Sequence, residues 1–246
     1  MEQESLGFMG NMGMHMGPMI IGFIFMGISW FVSNRLKSKF AKYSKVRLNI
    51  GLTGKQIAEK MLSDNSIHDV EVIHVRGQLT DHYNPMIKTV NLSDSVYNSI
   101  NVAATAVSAH ECGHAVQHAQ AYAPLKLRSK LVPVQNISGK ILNYAIMGFM
   151  VLGFIGQNFI SFDILIYVMI AGNLGLTLFA MVTLPVEYDA SNRAIDWIEN
   201  NGIAGHDEIA GAKDALKWAA LTYVVAALAA LSQLLYWVFM LMNRRN

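Results

Sequence analysis

Four stretches of the chain are apolar over the length that a bilayer crossing requires, about 20 residues per helix. Residues 17–33 (GPMIIGFIFMGISWFVS) carry no charge and end near Trp30 and Phe31, which suit an interfacial anchor. Residues 141–186 hold one charge, Asp163, and are twice a span in length. They divide near Gln157–Asp163 into a helical hairpin with spans at 141–160 and 164–186. Residues 218–242 are the fourth uncharged stretch. Between the first and second spans the period changes. Thr53-Gly-Lys-Gln56 has the form of a capping box and opens a helix to about Leu62. Val70 to Val75 is β-branched and reads as a strand, and Arg76-Gly77-Gln78 as a turn. Leu79 to Tyr83, Asn84-Pro85 and Met86 to Leu92 read as a hairpin or second strand pair. Ser93 or Asp94 then caps a long helix over about 94–120. The predicted class is a mainly α-helical integral membrane protein: four transmembrane helices, a Met-rich segment (1–16), a small α+β part within 34–140 and a polar helical region over 187–217.

Composition agrees. Of 246 residues 53% are hydrophobic and 15% charged, against about 25% charged in an ordinary soluble domain. The net charge is only +2, and no basic block interleaved with aromatics supports nucleic-acid binding. Cys112 is the sole cysteine, which excludes an intramolecular disulfide. Glu2 and Glu4 precede the first apolar run, and no Lys or Arg comes before Arg35, so that run reads as a retained anchor and not as a cleaved leader. Arg35, Lys37, Lys39, Lys42, Lys45 and Arg47 follow the first span; Lys126, Arg128, Lys130 and Lys140 precede the second. By the positive-inside rule 34–140 is cytoplasmic, as is 187–217, and both termini lie outside the cell membrane; Arg244 and Arg245 argue mildly the other way.

Residues 110–114, His-Glu-Cys-Gly-His, match H-E-x-x-H. On a helix His110 and His114 lie one turn apart on one face, so both imidazoles can reach one ion. Glu111 sits about 100° round, near enough to act on a bound water without replacing a histidine. Zinc lowers the pKa of its water to about 7, and a carboxylate can take the proton as the water attacks a peptide carbonyl. The pattern alone is a weak signal; two helix histidines with ordinary hydrogen-bond partners are the plain alternative. A catalytic zinc needs a third protein ligand. Positions 117 and 120 are both Gln, so the H-E-x-x-H-x-x-G-x-x-H extension is absent. Glu187, where the third span ends, is the best-placed carboxylate and Asp189 its rival; both could instead be helix-start acids favouring the dipole. His118, one turn beyond His114, is either a group supporting the ligands or a fourth contact.

Longer motifs carry a resemblance. His110-Glu-Cys-Gly-His-Ala-Val-Gln-His118, Tyr122-Ala-Pro-Leu-Lys-Leu-Arg128, Gly77-Gln-Leu-Thr-Asp-His-Tyr83 and Glu187-Tyr-Asp-Ala-Ser-Asn-Arg-Ala194 resemble the bacterial YugP-like membrane neutral zinc metallopeptidases over nearly the whole chain. More distantly the chain is similar to the HtpX-type and CAAX prenyl proteases, whose third ligand is a glutamate opening a Glu-x-x-x-Asp helix. That register lands on Glu187, with Ser191 where the relatives have Asp. The resemblance implies one zinc ion, a zincin-like (gluzincin-like) cytoplasmic part and hydrolysis of peptide bonds, with His110, His114 and Glu187 as ligands and Glu111 as general base. It also implies that an edge strand carrying Met86, Lys88 and Val90 pairs with an extended substrate. An ordinary structural hairpin is the other reading of that segment. Cys112 stands where Ala is usual and reads as a small core residue. Tyr223, His206 and Arg193 are candidate stabilisers of the transition state. Membrane or membrane-proximal proteins are the expected substrates, because Glu187 adjoins a span. Two other functions keep the histidines: a non-catalytic metal-binding sensor or scaffold, and a metal transporter. Transport is disfavoured because Asp163 is the only charge inside the long apolar stretch. The Met9–Met19 stretch could bind Cu(I) through its thioethers, but reads as flexible interfacial packing. Nothing in the sequence bears on oligomeric state.

Overall fold

The computed structural model describes residues 2–155 and 162–244, with side chains over 16–148 and 163–244. The hairpin turn expected at 157–163 therefore lies, up to residue 161, outside the described residues. So do Arg245 and the side chains of the Met-rich stretch before Met16. The described elements are α1 (Glu2–Tyr43), α2 (Gly54–Asp64), β1 (Glu71–Val75), β2 (His82–Asn84), β3 (Thr89–Ser93), α3 (Val102–Ala119), α4 (Ala123–Ile155), α5 (Phe162–Asn200) and α6 (His206–Asn243). The chain clusters into two units: Met1–Trp30, Arg128–Val182 and Val224–Asn246 form one, and Phe31–Leu127 with Thr183–Tyr223 the other.

The first unit is helical. Among the described residues, three helices are long and apolar enough to cross a membrane: Met16–Tyr43, Asp163–Asn200 and His206–Asn243. Phe23, Trp30, Leu235 and Phe239 are exposed on them, as lipid-facing side chains would be. The segment expected to form the remaining span, 141–160, begins in α4, but from residue 149 on its side chains lie outside the described residues. Small residues bring these helices together. A Cβ on Gly172 would lie 2.6 Å from the Leu142 side chain, and one on Gly175 2.1 Å from Ser138 Oγ. Ile166, Met169 and Trp237 form a buried cluster.

The second unit holds the sheet. Thr53 caps α2 as its pattern predicts: Gln56 N–H donates to Thr53 Oγ1 at 3.3 Å, and Thr53 N–H to Gln56 Oε1 at 2.9 Å. Ile57, Ala58, Met61 and Leu62 recur at helical spacing, and α2 buries them as it packs on α3. The sheet order is β1-β3-β2, with β3 parallel to β1 and antiparallel to β2. All five β3 residues are buried, as suits a strand paired on both sides.

Four expectations change. First, β3 is central, so Val90 is not on an edge strand, and Met86 and Lys88 lie in the turn before β3. Second, α3 starts at Val102, not near 94. Ser93 N–H and Oγ are bonded to Asp81, and Asp94 takes Gly77 N–H and faces His74, so neither is available as a cap. Asn101 caps instead, its Oδ1 accepting Ala104 N–H at 2.8 Å. Third, α5 runs unbroken through Pro185, so Glu187 and Asp189 sit mid-helix and are not helix-start acids. Fourth, α1 is helical from Glu2, so the backbone of the N-terminal stretch is regular.

Candidate metal centre

The chemistry-bearing pattern lies on α3, where His110 and His114 share a face and Glu111 is turned aside from it. The α5 backbone passes close to this helix. A Cβ on Gly113 would lie 2.5 Å from Ala190 O, so glycine permits an approach that any larger residue would obstruct. That approach brings Glu187, on α5, to the histidines. Its Oε2 lies 3.4 Å from His110 Nε2 and 3.6 Å from His114 Nε2, and the donor atoms all lie within 4.8 Å of one another. Glu187 and His114 are buried; His110 is half-buried.

This donor set fits a divalent zinc ion. Ligand bonds of about 2.0–2.2 Å in tetrahedral array space N and O donors about 3.3 Å apart, close to the two separations seen. Three protein donors also leave a fourth position open, and imidazole with carboxylate suits zinc.

The outer ring nitrogens are engaged as well. Gln117 Nε2 donates to Val186 O at 2.8 Å and to Asp189 Oδ2 at 2.7 Å, which leaves its Oε1 to accept from His114 Nδ1 at 3.0 Å. Ser191 Oγ lies 3.1 Å from His110 Nδ1. With a proton on each Nδ1, each Nε2 presents a lone pair to the cluster. Burial alone would lower the pKa of His114; the carboxylates of Glu187 and Glu111, with Gln117, outweigh it and hold it above the ordinary imidazole value.

Glu111 turns away from the Nε2 atoms to the sheet, where its Oε2 accepts Tyr83 N–H at 3.0 Å. Tyr83 belongs to β2, an edge strand, so this edge, and not Met86–Val90, borders the cluster. His118 is directed to the Tyr83 hydroxyl, 2.7 Å from its Nδ1, and not to the ligand face. Asp189 is held by Gln117 and by Arg193 at 2.5 Å, outside the three-donor cluster. Arg193 also reaches Gln120 and lies over the Tyr122 ring. His206 is fully exposed at the start of α6. Of the candidate stabilisers, Tyr223 alone lines the cavity shared with His110, Glu111 and Glu187. Cys112 is buried, with its Sγ 3.5 Å from Ala58 O, and burial pushes its thiol pKa well up.

Sequence reasoning passed over Gln117, Tyr83 and Asp81. Gln117 carried a signal, since it follows His114 by three residues and shares its face. Asp81 lines the cavity beside Glu111. Burial raises its carboxyl pKa against the pull of the Ser93 N–H and hydroxyl, and the nearby Glu111 charge adds to the rise. Only the tertiary fold reveals that neighbourhood.

A His–His–Glu cluster of zinc-ligand chemistry, on a chain with long apolar helices, points to a class, the membrane-associated zinc peptidases. Over residues 18–242 the chain matches the family described as "Putative neutral zinc metallopeptidase", and it belongs to that family. It is 39% identical over 221 residues to the "Putative membrane protease YugP" of Bacillus subtilis (strain 168), an alignment covering 90% of this chain and 95% of that protein. No solved structure matches the chain.

Proposed function

We propose that this protein is a membrane-embedded zinc endopeptidase of the H-E-x-x-H-plus-Glu type, with a zincin-like catalytic part. The observation that carries the reading is the convergence of His110 Nε2, His114 Nε2 and the Glu187 carboxylate within 4.8 Å. These three would hold one Zn2+. When bound, the ion would supply Lewis-acid polarisation and an acidified water. Glu111 is the general base: it accepts the proton of the attacking water and passes it to the leaving amine. Tyr83 N–H holds its Oε2 and limits its motion. Gln117 and Ser191 orient the two imidazoles. Tyr223, at the cavity wall, donates to the carbonyl oxygen as negative charge builds on it. β2 is the edge strand beside the cluster, and an extended peptide binds along it.

In this reading the protein is multi-pass with four spans: 17–33, 141–160, 164–186 and 218–242. Residues 34–140 and 187–217 form the cytoplasmic part, and both termini lie outside. The Arg244–Asp163 ion pair sets the start of α5 and the end of α6 at one level, which supports placing both on the same side of the membrane. Glu187 continues the helix that carries the apolar run of α5, which supports membrane or membrane-proximal proteins as substrates.

The test compares wild type with Glu111→Gln in detergent, with zinc content and peptide cleavage measured on both. Zinc retained and cleavage lost by at least about a hundredfold is the expected result. Equal cleavage by both rejects Glu111 as base. Bound zinc without cleavage by either protein favours a non-catalytic metal protein. Zinc released by Asp189→Ala and not by Glu187→Ala overturns the ligand assignment.

A further inference from the structure

The cluster does not end at its donor atoms. It forms part of the wall of a cavity of about 180 Å³, entirely within the second unit. Most of the remaining wall is apolar: Leu36 and Phe40 from α1, Val107 from α3, and Ala215, Ala219 and Ala220 from α6. On α6 the residues facing the cavity recur at helical spacing. Ala215, Ala219 and Ala220 are among them, beside the larger Leu216 and Tyr223, and their small side chains leave space at that wall. A dry apolar cavity of about 150 Å³ holds a benzene ring, so this one accepts a single side chain of leucine to phenylalanine size. The polar exceptions are instructive. Asp81 and Glu111, with the cluster's own Glu187, line the cavity as carboxylates, and among the described residues no Lys or Arg does. An acidic side chain entering here would lose its water and meet like charge.

We propose that this cavity is the subsite for one large apolar side chain beside the scissile bond, that Ala219 and Ala220 set its depth, and that Asp81 excludes acidic residues. The proposal rests on the peptidase reading above. A peptide bond presented at the cluster has the side chain of one flanking residue within reach of the cavity, because His110 and Glu187 belong to both cluster and wall and Glu111 lines the wall beside them. Selectivity then arises from transfer of an apolar side chain out of water into a preformed space.

Two measurements test it. A peptide library is digested by the wild-type protein and by Ala219→Phe, and the cleavage sites are read by mass spectrometry. In parallel, fluorescent peptides differing only in one central residue (Gly, Ala, Leu, Phe or Asp) are titrated onto Glu111→Gln protein, with and without Ala219→Phe. Zinc content and melting temperature verify each variant, and Ala219→Val serves where Phe prevents folding. We expect Leu and Phe to be enriched and Asp depleted at one position beside the cut. Ala219→Phe should shift that preference toward Ala and Gly by about tenfold or more, and Asp81→Asn should raise tolerance of Asp. Binding to Glu111→Gln should rank Leu and Phe above Gly and lose that ranking with Ala219→Phe. An undiscriminating cleavage or binding profile, or a preference unchanged by filling the cavity, overturns the proposal. Ranked binding with no cleavage by wild type overturns the peptidase reading and leaves the apolar subsite standing.

Discussion

Gln117 is the side chain whose loss should be felt most out of proportion to its chemistry. It is fully buried. One amide joins three things: His114 Nδ1, the backbone of the residue before Glu187, and Asp189. Replacing it with Met keeps most of the volume and removes all three hydrogen bonds; replacing it with Ala also opens a cavity. Loss of an orienting partner behind a metal-bound imidazole typically costs 10–100-fold in metal affinity, or about 1.4–2.7 kcal/mol. Net hydrogen-bond terms of about 1 kcal/mol each predict a further loss of folding stability of about 2–3 kcal/mol in Gln117→Met. Gln117→Ala should be less stable still, through its cavity. Arg193 still pairs with Asp189, so that carboxylate is not stranded. The assay is zinc competition against a chelator of known affinity, paired with thermal melting of the metal-free protein. Gln117→Met with wild-type zinc affinity, within about threefold, would refute the claim that this amide fixes the orientation of His114.

Gly113→Ala places a methyl 2.5 Å from Ala190 O and should separate α3 from α5, lowering stability by about 1–3 kcal/mol and weakening zinc binding; unchanged zinc affinity would contradict the close-approach argument. The raised pKa of Asp81 means the folded state favours its protonated form. That contribution to stability is fully present below the ordinary carboxylate pKa and is lost as pH rises through the raised value. Asp81→Asn should therefore gain in melting temperature relative to wild type as pH rises above the ordinary carboxylate value of about 4; a pH-independent difference would count against it. The buried Cys112, its thiol pushed well up, should resist alkylation at pH 8 until the protein unfolds; rapid labelling of folded protein would contradict its burial.

Much of the local structure is legible in the sequence because it depends on neighbours in the chain. The Thr53–Gln56 capping box and the one-turn spacing of His110 and His114 are of this kind. The long apolar runs stand out by composition alone. What the sequence hides is decided across the fold. β3 becomes central because β1 joins it in parallel from beyond a turn, which no hairpin pattern specifies. The start of α3 moves to Asn101 because Asp81 and Gly77 claim the side chains or backbone of the nearer caps. Glu187 was singled out by resemblance and by its position after an apolar run, but its separation from Asp189 is physical: on one helix, two residues apart, they face different ways. One meets the imidazoles and the other meets Gln117 and Arg193.

The account turns on which atoms surround the ion. X-ray absorption at the zinc edge on the purified wild-type protein measures that directly. The expected spectrum has one zinc per chain, N and O scatterers at about 2.0–2.2 Å, the multiple-scattering signature of two imidazoles, and no sulfur. A scatterer at about 2.3 Å from Cys112, a single imidazole, or protein that takes up no zinc would contradict it.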